Sequence, residues 1–463
     1  MARAIKTLPA TLVVGLFLAS SGTASVGHHR PAVDFNHNAV IFVHGFEGSG
    51  GQFESQKMRL TSNGYPDRYI VTFEYDSLAF SSGLSGGSIA PQEKPLFTRL
   101  DRLIVHMKKV THRPQVDLLA HSLGTQIVQD YLNSSPKRAA NVAHYVNLDG
   151  SPAHHVPGGV PTLALWGTKG PISPPGRRIA GAKNVLVPDS SHVQTATSPF
   201  SFRWFYRFFN GHWPKTTQIV PQKGRISISG RDLNFPVNTG LAGATVQVWP
   251  LNQTTGQRAS KKPLASFAIN NTGYFGPLEV QSGRRYEFAE VRAGEPTHHF
   301  YYEPFIRSDH LIRLLESDGL RAAGGTPSSQ SVAIVIVRYK ELWGNRGAQS
   351  DVLKVNGVRA CNASSCPLSK GVNALFVADF NHDGKSEPHQ TWPAYQKLGF
   401  FLSSADIFAP AQTPPKGEVT VSIQDRGKGP VRTISFPNWP ATTDDVTVQL
   451  NDYSQPALDA SRG

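Results

Sequence analysis

At 463 residues, 39% of them hydrophobic, the chain can bury a full core and divide into two or three domains, which excludes a small disulfide-stapled fold. Its formal charge of +13 favours contact with anionic surfaces, but no basic run and no aromatic-interleaved motif accompanies the charge, so no nucleic-acid partner is expected. Only two cysteines are present, Cys361 and Cys366, too few for a cysteine metal centre.

At the N-terminus, Arg3 and Lys6 precede an apolar stretch over residues 8–19 and small residues over 20–25. These are the three parts of a secretory signal peptide, so residues 1–25 are assigned to it and the mature chain is expected outside the cell. The stretch is too short to span a bilayer, and no other long apolar run follows. No transmembrane segment is therefore expected in the mature chain, and the cysteine pair reads as one local disulfide pinning a loop.

Short apolar runs at 39–43, 69–73, 116–120, 144–148, 162–166 and 184–187 then alternate with helix-length segments. Strands separated by helices mean βαβ units and a mostly parallel sheet. Leu96, Leu100, Leu103, Ile104 and Met107 share one face of a helix starting near Leu96. Ser198-Pro199 caps another helix, which carries Phe202, Phe205 and Phe209 on one side and stops at Asn210-Gly211. This helix closes a first domain, residues 26–215.

Within that domain, Ala120-His121-Ser122-Leu123-Gly124 joins the run 116–120 to the helix-like segment 125–132. Strand, sharp turn and helix are the context in which a small-x-Ser-x-Gly elbow exposes a nucleophilic serine, here Ser122. The strand 39–43 runs on into His44-Gly45-Phe46, so the Phe46 amide is a candidate oxyanion donor, and Leu123, directly after the serine, is the second. Residues 45–51 lack the Gly-Lys-Ser/Thr ending of a phosphate-binding loop. His192, after the last strand and before the closing helix, is the candidate general base, while His121 is expected to pack or bind backbone. Two carboxylates follow the serine in suitable order, Asp149 at a strand end and Asp189 in the histidine's own loop. The loop after 162–166 reads Gly167-Thr168-Lys169-Gly170 with no carboxylate, which favours Asp149.

After Pro214 the pattern changes to period-two strands bounded by Gly, Pro and Asn, with Ile226 and Ile228, Val246 and Val248, Val419, Val421 and Ile423, and Val446, Val448 and Leu450. Residues 219–320 resemble a small transthyretin-like sandwich, and a second β-rich segment covers 328–463. In the latter, Asp379, Asn381 and Asp383 stand at the first, third and fifth positions of a loop with Gly384 at the sixth, as in the start of an EF-hand-type calcium loop. The twelfth position is Gln390, not Glu, so an Asx-rich turn competes with a structural calcium site; no other cofactor is expected.

Several further motifs accompany the elbow. They are Gly48-Ser49-Gly50-Gly51-Gln52-Phe53-Glu54-Ser55-Gln56, Asn63-Gly64-Tyr65-Pro66, Thr72-Phe73-Glu74-Tyr75-Asp76, Leu148-Asp149-Gly150, Arg338-Tyr339-Lys340-Glu341 and Ser403-Ser404-Ala405-Asp406-Ile407. Together these resemble the two-domain Archaeoglobus-type carboxylesterase/lipase over nearly the whole mature chain. The resemblance implies an α/β-hydrolase domain followed by a β-rich sandwich or barrel that binds lipid, with Ser122, Asp149 and His192 as the triad and Phe46 and Leu123 as oxyanion donors. It also implies a secreted esterase or lipase acting on acyl-glycerol esters, where a lipid–water interface is a natural partner. An extracellular polyester depolymerase and a non-catalytic lipid- or surface-binding protein are the alternatives. The segment from Tyr75 to Leu96, where such lipases carry a sizeable lid, is short and rich in Ser and Gly; Leu78, Phe80, Leu84 and Ile89 are expected to line an acyl groove there. Asn133, Asn252, Asn270 and Asn362 fit the glycosylation acceptor pattern, of consequence only in a glycosylating host.

Overall fold

The six expected strands form β1 Ala39–Val43, β2 Ile70–Phe73, β3 Val116–His121, β4 Val142–Leu148, β5 Thr162–Gly167 and β6 Lys183–Val187. They build one parallel sheet in the order β2-β1-β3-β4-β5-β6. Every residue of β1, β3 and β5 is buried, as near-continuous apolar runs covered by helices on both faces must be. The computed structural model describes residues 36–80 and 90–453, so the segment assigned to a signal peptide, and Leu84 and Ile89, lie outside the described residues.

The helices are α1 Glu54–Ser62, α2 Ala90–Thr111, α3 Leu123–Asn133, α4 Pro136–Ala139, α5 His192–Thr197 and α6 Pro199–Asn210. α6 starts and stops where its punctuation says: the Ser198 side chain accepts the Phe200 amide, and Gly211 turns out of the helix at φ 76°. α2 begins at Ala90, well before the expected Leu96, with Pro91 in its first turn, where a missing N–H costs no hydrogen bond, and Pro95 inside the helix. Leu100, Ile104 and Met107 of α2 pack against Ile41 and Leu118 of the sheet. Phe80 joins this same core, its ring 5.8 Å from that of Tyr75, instead of lining a groove as expected. An aromatic ring gains more from that enclosed site than from a wet cleft edge. Leu78 is exposed.

Beyond the sheet, β7 Arg225–Asn234 pairs with β8 Thr239–Gly240, β11 Tyr274–Gln281 and β14 Asp309–Glu316. A larger sheet is formed by β9 Thr245–Pro250, β10 Ala265–Ala268, β12 Tyr286–Val291, β13 Thr297–Tyr302, β15 Ile334–Arg338, β18 Ala374–Ala378, β19 Leu402–Asp406 and β22 Asp444–Leu450. A four-stranded sheet contains β16 Val352–Val355, β17 Val358–Arg359, β20 Glu418–Gln424 and β21 Arg432–Pro437, while α7 Asp318–Ala323 and α8 Pro393–Lys397 are short. The large sheet runs β10-β9-β12-β13-β22-β15-β18-β19, with β22 parallel to both β13 and β15. The last described strand thereby joins the segments 219–320 and 328–463 into one sheet. Cys361 and Cys366 form a disulfide with Cα atoms 5.4 Å apart, inside the core of the second segment. No helix among the described residues is long and apolar enough to cross a membrane.

Candidate active site

Ser122 sits between the end of β3 and the start of α3 with φ 53° and ψ −125°, a conformation that strains any residue with a side chain. The surroundings hold it there. Its amide donates to the Leu148 carbonyl at 3.2 Å, and its own carbonyl accepts from the Thr125 amide at 2.9 Å and the Thr125 hydroxyl at 2.6 Å. Two glycines let the elbow approach β1: a Cβ on Gly45 would meet the Ser122 Cβ at 2.8 Å, and one on Gly124 would lie 2.4 Å from the His44 carbonyl oxygen. The same contact brings the His44-Gly45-Phe46 turn against the serine. Leu123, buried at the first position of α3, has the amide of a helix start, which has no partner inside the helix.

His192, 5% exposed, opens α5 and places Nδ1 2.7 Å from Asp149 Oδ2. Asp149 directly follows β4, with φ 48°. Its carboxylate also accepts from the Gly167 amide at 2.6 Å, the Ser173 hydroxyl at 2.5 Å and Arg177 Nη2 at 2.5 Å. Burial raises this carboxyl, but the His192 bond and charge, then Arg177 and Ser173, override it and hold it at about 2. An ionised carboxylate only accepts, so the His192 proton belongs on Nδ1 and the lone pair on Nε2. Nε2 is buried and has no hydrogen-bond partner. Asp189, the rival carboxylate, is an exposed turn residue 3.6 Å from Lys169 Nζ.

His121 behaves as expected. It is buried, accepts from Gln52 Nε2 at 2.6 Å and reaches the His192 carbonyl oxygen at 3.1 Å. Burial and the nearby His192 hold it well below its ordinary value, so it stays neutral beside the site.

Sequence reasoning missed the contribution of the C-terminal half. Glu341, 1% exposed, accepts from the Val193 amide at 2.7 Å, the Gln194 amide at 3.2 Å and the Ser191 hydroxyl, so a carboxylate from the β half caps the helix that carries His192. The Phe401 ring stacks toward His192 with centroids 6.4 Å apart. Ser173, Arg177 and Phe401 carried no sequence signal; Glu341 stood in a quoted motif whose role could not be read. A cavity of about 690 Å³ occupies the β half, with Phe300, Val335, Phe376, Phe380 and Leu402 in its wall. It extends to Phe401 and to Glu47, Gly48 and Ser49, directly after Phe46, but Ser122 does not line it. Asp379, Asn381 and Asp383 lie together in the loop after β18, in the β half.

A family model for Lipase (class 2) matches residues 37–142, one for Lipase C-terminal domain matches 224–319, and a further C-terminal-domain model matches 324–454. No curated protein matches the chain. Among solved structures, a CIB-like hydrolase of Thermoplasma acidophilum is 16% identical with a TM-score of 0.28, covering 39% of this chain and 89% of its own. Lipase B of Aspergillus fumigatus is 13% identical with a TM-score of 0.29, covering 42% of this chain and 56% of its own. The poly(3-hydroxybutyrate) depolymerase LpqC of Bordetella parapertussis is 16% identical with a TM-score of 0.26, covering 40% and 82%. At such scores these likenesses carry no argument, and the fold rests on the sheet order and the elbow. The lipase models and this architecture make the chain a lipase-like hydrolase in which an α/β-hydrolase domain is followed by a β-rich C-terminal half.

Proposed function

We propose that the chain is an exported carboxylic-ester hydrolase of the Archaeoglobus-type lipase kind, acting on acyl-glycerol esters through an acyl-enzyme on Ser122. His192 Nε2 takes the Ser122 proton as the hydroxyl oxygen attacks the ester carbonyl, and Asp149 steadies the imidazolium that forms. The Phe46 and Leu123 amides hold the oxyanion of the tetrahedral intermediate. His192 then gives its proton to the departing alcohol. Water, deprotonated by the same nitrogen, attacks the acyl-enzyme; the acid leaves and Ser122 regains its proton.

The observations that carry this reading are a buried histidine with one nitrogen committed to Asp149 at 2.7 Å and the other unpartnered, and an elbow serine at φ 53°. The cavity supports a lipid substrate: at about 690 Å³ it is of the size of a small-molecule site, and it reaches the turn that carries the proposed oxyanion donor. The boundaries 26–215 for catalysis and 219–320 with 328–463 for lipid binding belong to this proposal. Export rests on the N-terminal pattern, and the Cys361–Cys366 disulfide suits an oxidising compartment.

Ser122→Ala is expected to lower p-nitrophenyl butyrate turnover by at least about 10³-fold and to abolish labelling by a fluorophosphonate probe. Turnover that survives in the pure, folded variant sinks the proposal. Release from a triglyceride emulsion is expected to exceed release from an insoluble polyester film, and the reverse order selects the depolymerase reading.

A further inference from the structure

Ile228 of β7, Phe288 of β12, Phe300 of β13 and Leu314 of β14 share one buried apolar cluster, which packs the β7–β14 sheet on the large one. Side chains alternate across a strand, so positions two or four residues away on the same strands point into the same layer. There the sequence places Asp232, Glu290, His298 and Glu316 instead of apolar groups. All four are buried: Asp232 is 0%, Glu290 1%, Glu316 3% and His298 7% exposed. Glu290 and His298 stand directly opposite each other in the β12–β13 pair.

One ligand atom from each of Glu290, His298 and Glu316 lies within 4.8 Å of those of the other two. Arg292 binds Oε1 of both glutamates, at 2.8 and 3.0 Å, and leaves Oε2 of each untouched. Glu316 Oε2 meets His298 Nδ1, while the other ring nitrogen, Nε2, lies 2.8 Å from the Thr447 hydroxyl. Glu290 Oε2 is buried with no hydrogen-bond partner, and so are both oxygens of Asp232. Asp232 meets Glu290, so two carboxyl groups face each other without a donor from any neighbour. A carboxylate oxygen taken out of water in this way is costly. Burial, and after it the charge of Asp232, push the Glu290 carboxyl upward. The next cation, Arg321, is engaged with Glu295, Asp318 and Asp445. Three carboxylates thus gather around one imidazole with Arg292 alone to balance them.

We propose that Glu290, His298 and Glu316 bind one zinc ion between the two sheets, with Asp232 supplying the remaining negative charge. One zinc ion, Arg292, three carboxylates and a neutral imidazole sum to zero. An imidazole nitrogen among carboxylate oxygens suits zinc, whose ligands at about 2.0–2.2 Å stand about 3.4 Å from one another, so a modest rotation of the side chains closes the set. The Thr447 hydroxyl can accept the Nε2 proton and so leave the Nδ1 lone pair to the ion, and Arg292 orients both glutamates. His298 and Glu316 line the cavity, whose wall also includes the exposed Glu295 and Asp318, which gives the ion a way in. Once bound, it fastens β12 and β13 of the large sheet to β14 of the sheet packed on it.

The test uses the full chain after chelator treatment and dialysis, with zinc as the probe in equilibrium dialysis and in thermal melts. The expected result is one ion per chain, bound at about 10⁻⁶ M or tighter, and a melting temperature that rises with zinc and falls again with chelator. His298→Gln is expected to bind at least about 100-fold more weakly. Glu290→Gln should weaken binding at least about tenfold and decides the matter should His298→Gln fail to fold. Without zinc, Glu290→Gln should melt no lower than the parent, because its amide can donate to Asp232 where two carboxyl groups otherwise face each other. The proposal is overturned by absence of binding at about 1 mM zinc, or by either variant, folded, binding as tightly as the parent. Calcium shifting the melt as strongly as zinc at equal concentration would overturn the choice of ion.

Discussion

Asp149 holds its ionised state against complete burial, and that has a measurable price in acid. Its folded value of about 2 lies below the ordinary 3.8, so it contributes stability that is present above 3.8 and is lost as pH falls toward about 2. The difference corresponds to about 2 kcal/mol at order-of-magnitude level. Denaturant unfolding of the parent and of Asp149→Asn should therefore differ most near neutrality, with the gap narrowing between about pH 4 and pH 2; a gap that widens there contradicts the assignment. Glu341 supplies a second test. Its three acceptor contacts fix the start of α5, so Glu341→Gln keeps the shape but replaces one acceptor oxygen with a donor NH2, which faces either the Val193 N–H or the Gln194 N–H. The expected result is a kcat lowered about 10- to 100-fold with KM nearly unchanged, a parallel drop in fluorophosphonate labelling rate, and a loss of about 1–3 kcal/mol in stability. Equal labelling rates would make Glu341 a stability residue only. Asp149 was legible in sequence because it follows an apolar run and the next strand end lacks a carboxylate. Arg177 and Glu341 were not: their roles exist only once distant segments meet, and no local pattern marks such a meeting.

Elements, by contrast, announce themselves where local punctuation and burial agree. β1, β3 and β5 are read from apolar runs alone, and α6 from Ser198-Pro199 and Gly211, since each is enclosed or capped by its own sequence. β22 shows the limit: its alternating valines predict a strand, but nothing in them says that it inserts between β13 and β15. The elbow's junction with β1 is where element packing is tightest. A methyl on Gly124 would press on the His44 and Val43 carbonyl oxygens at 2.4 and 2.7 Å, both main-chain atoms that cannot rotate aside. Gly124→Ala should therefore cost about 1–3 kcal/mol and, by displacing α3 and the Leu123 amide, reduce turnover as well. Gly319, inside α7, has nothing within 4 Å of the added carbon. Gly319→Ala should instead stabilise by about 0.5–1 kcal/mol through reduced freedom of the unfolded chain. Chemical denaturation of both variants checks the opposite signs.

At the scale of the whole molecule, the half with the parallel sheet is not a free-standing unit onto which the β-rich half has been added. Glu74, after β2, accepts from Arg313 of β14 at 2.7 and 2.9 Å, with both side chains buried. Burial alone would raise Glu74, yet Arg313 and then His44 hold it at about 2. Ser55 of α1 donates to Asp452 at 2.9 Å, Asn238 donates to the Gly48 carbonyl at 2.8 Å, and Glu341 caps α5. Removing the β half would take Arg313 from Glu74 and Glu341 from the α5 amides at the same moment. A fragment ending near residue 215 should consequently hydrolyse even p-nitrophenyl acetate, which needs no acyl cavity, at least about 100-fold more slowly than the full chain. The short ester is the deciding substrate: a long-chain ester would lose rate through the missing cavity alone, whereas the acetate reports only whether His192 is still held in place. A folded fragment that turns over the acetate at the full-chain rate would show that α5 keeps its geometry without Glu341, and would reduce the interface to a matter of substrate binding.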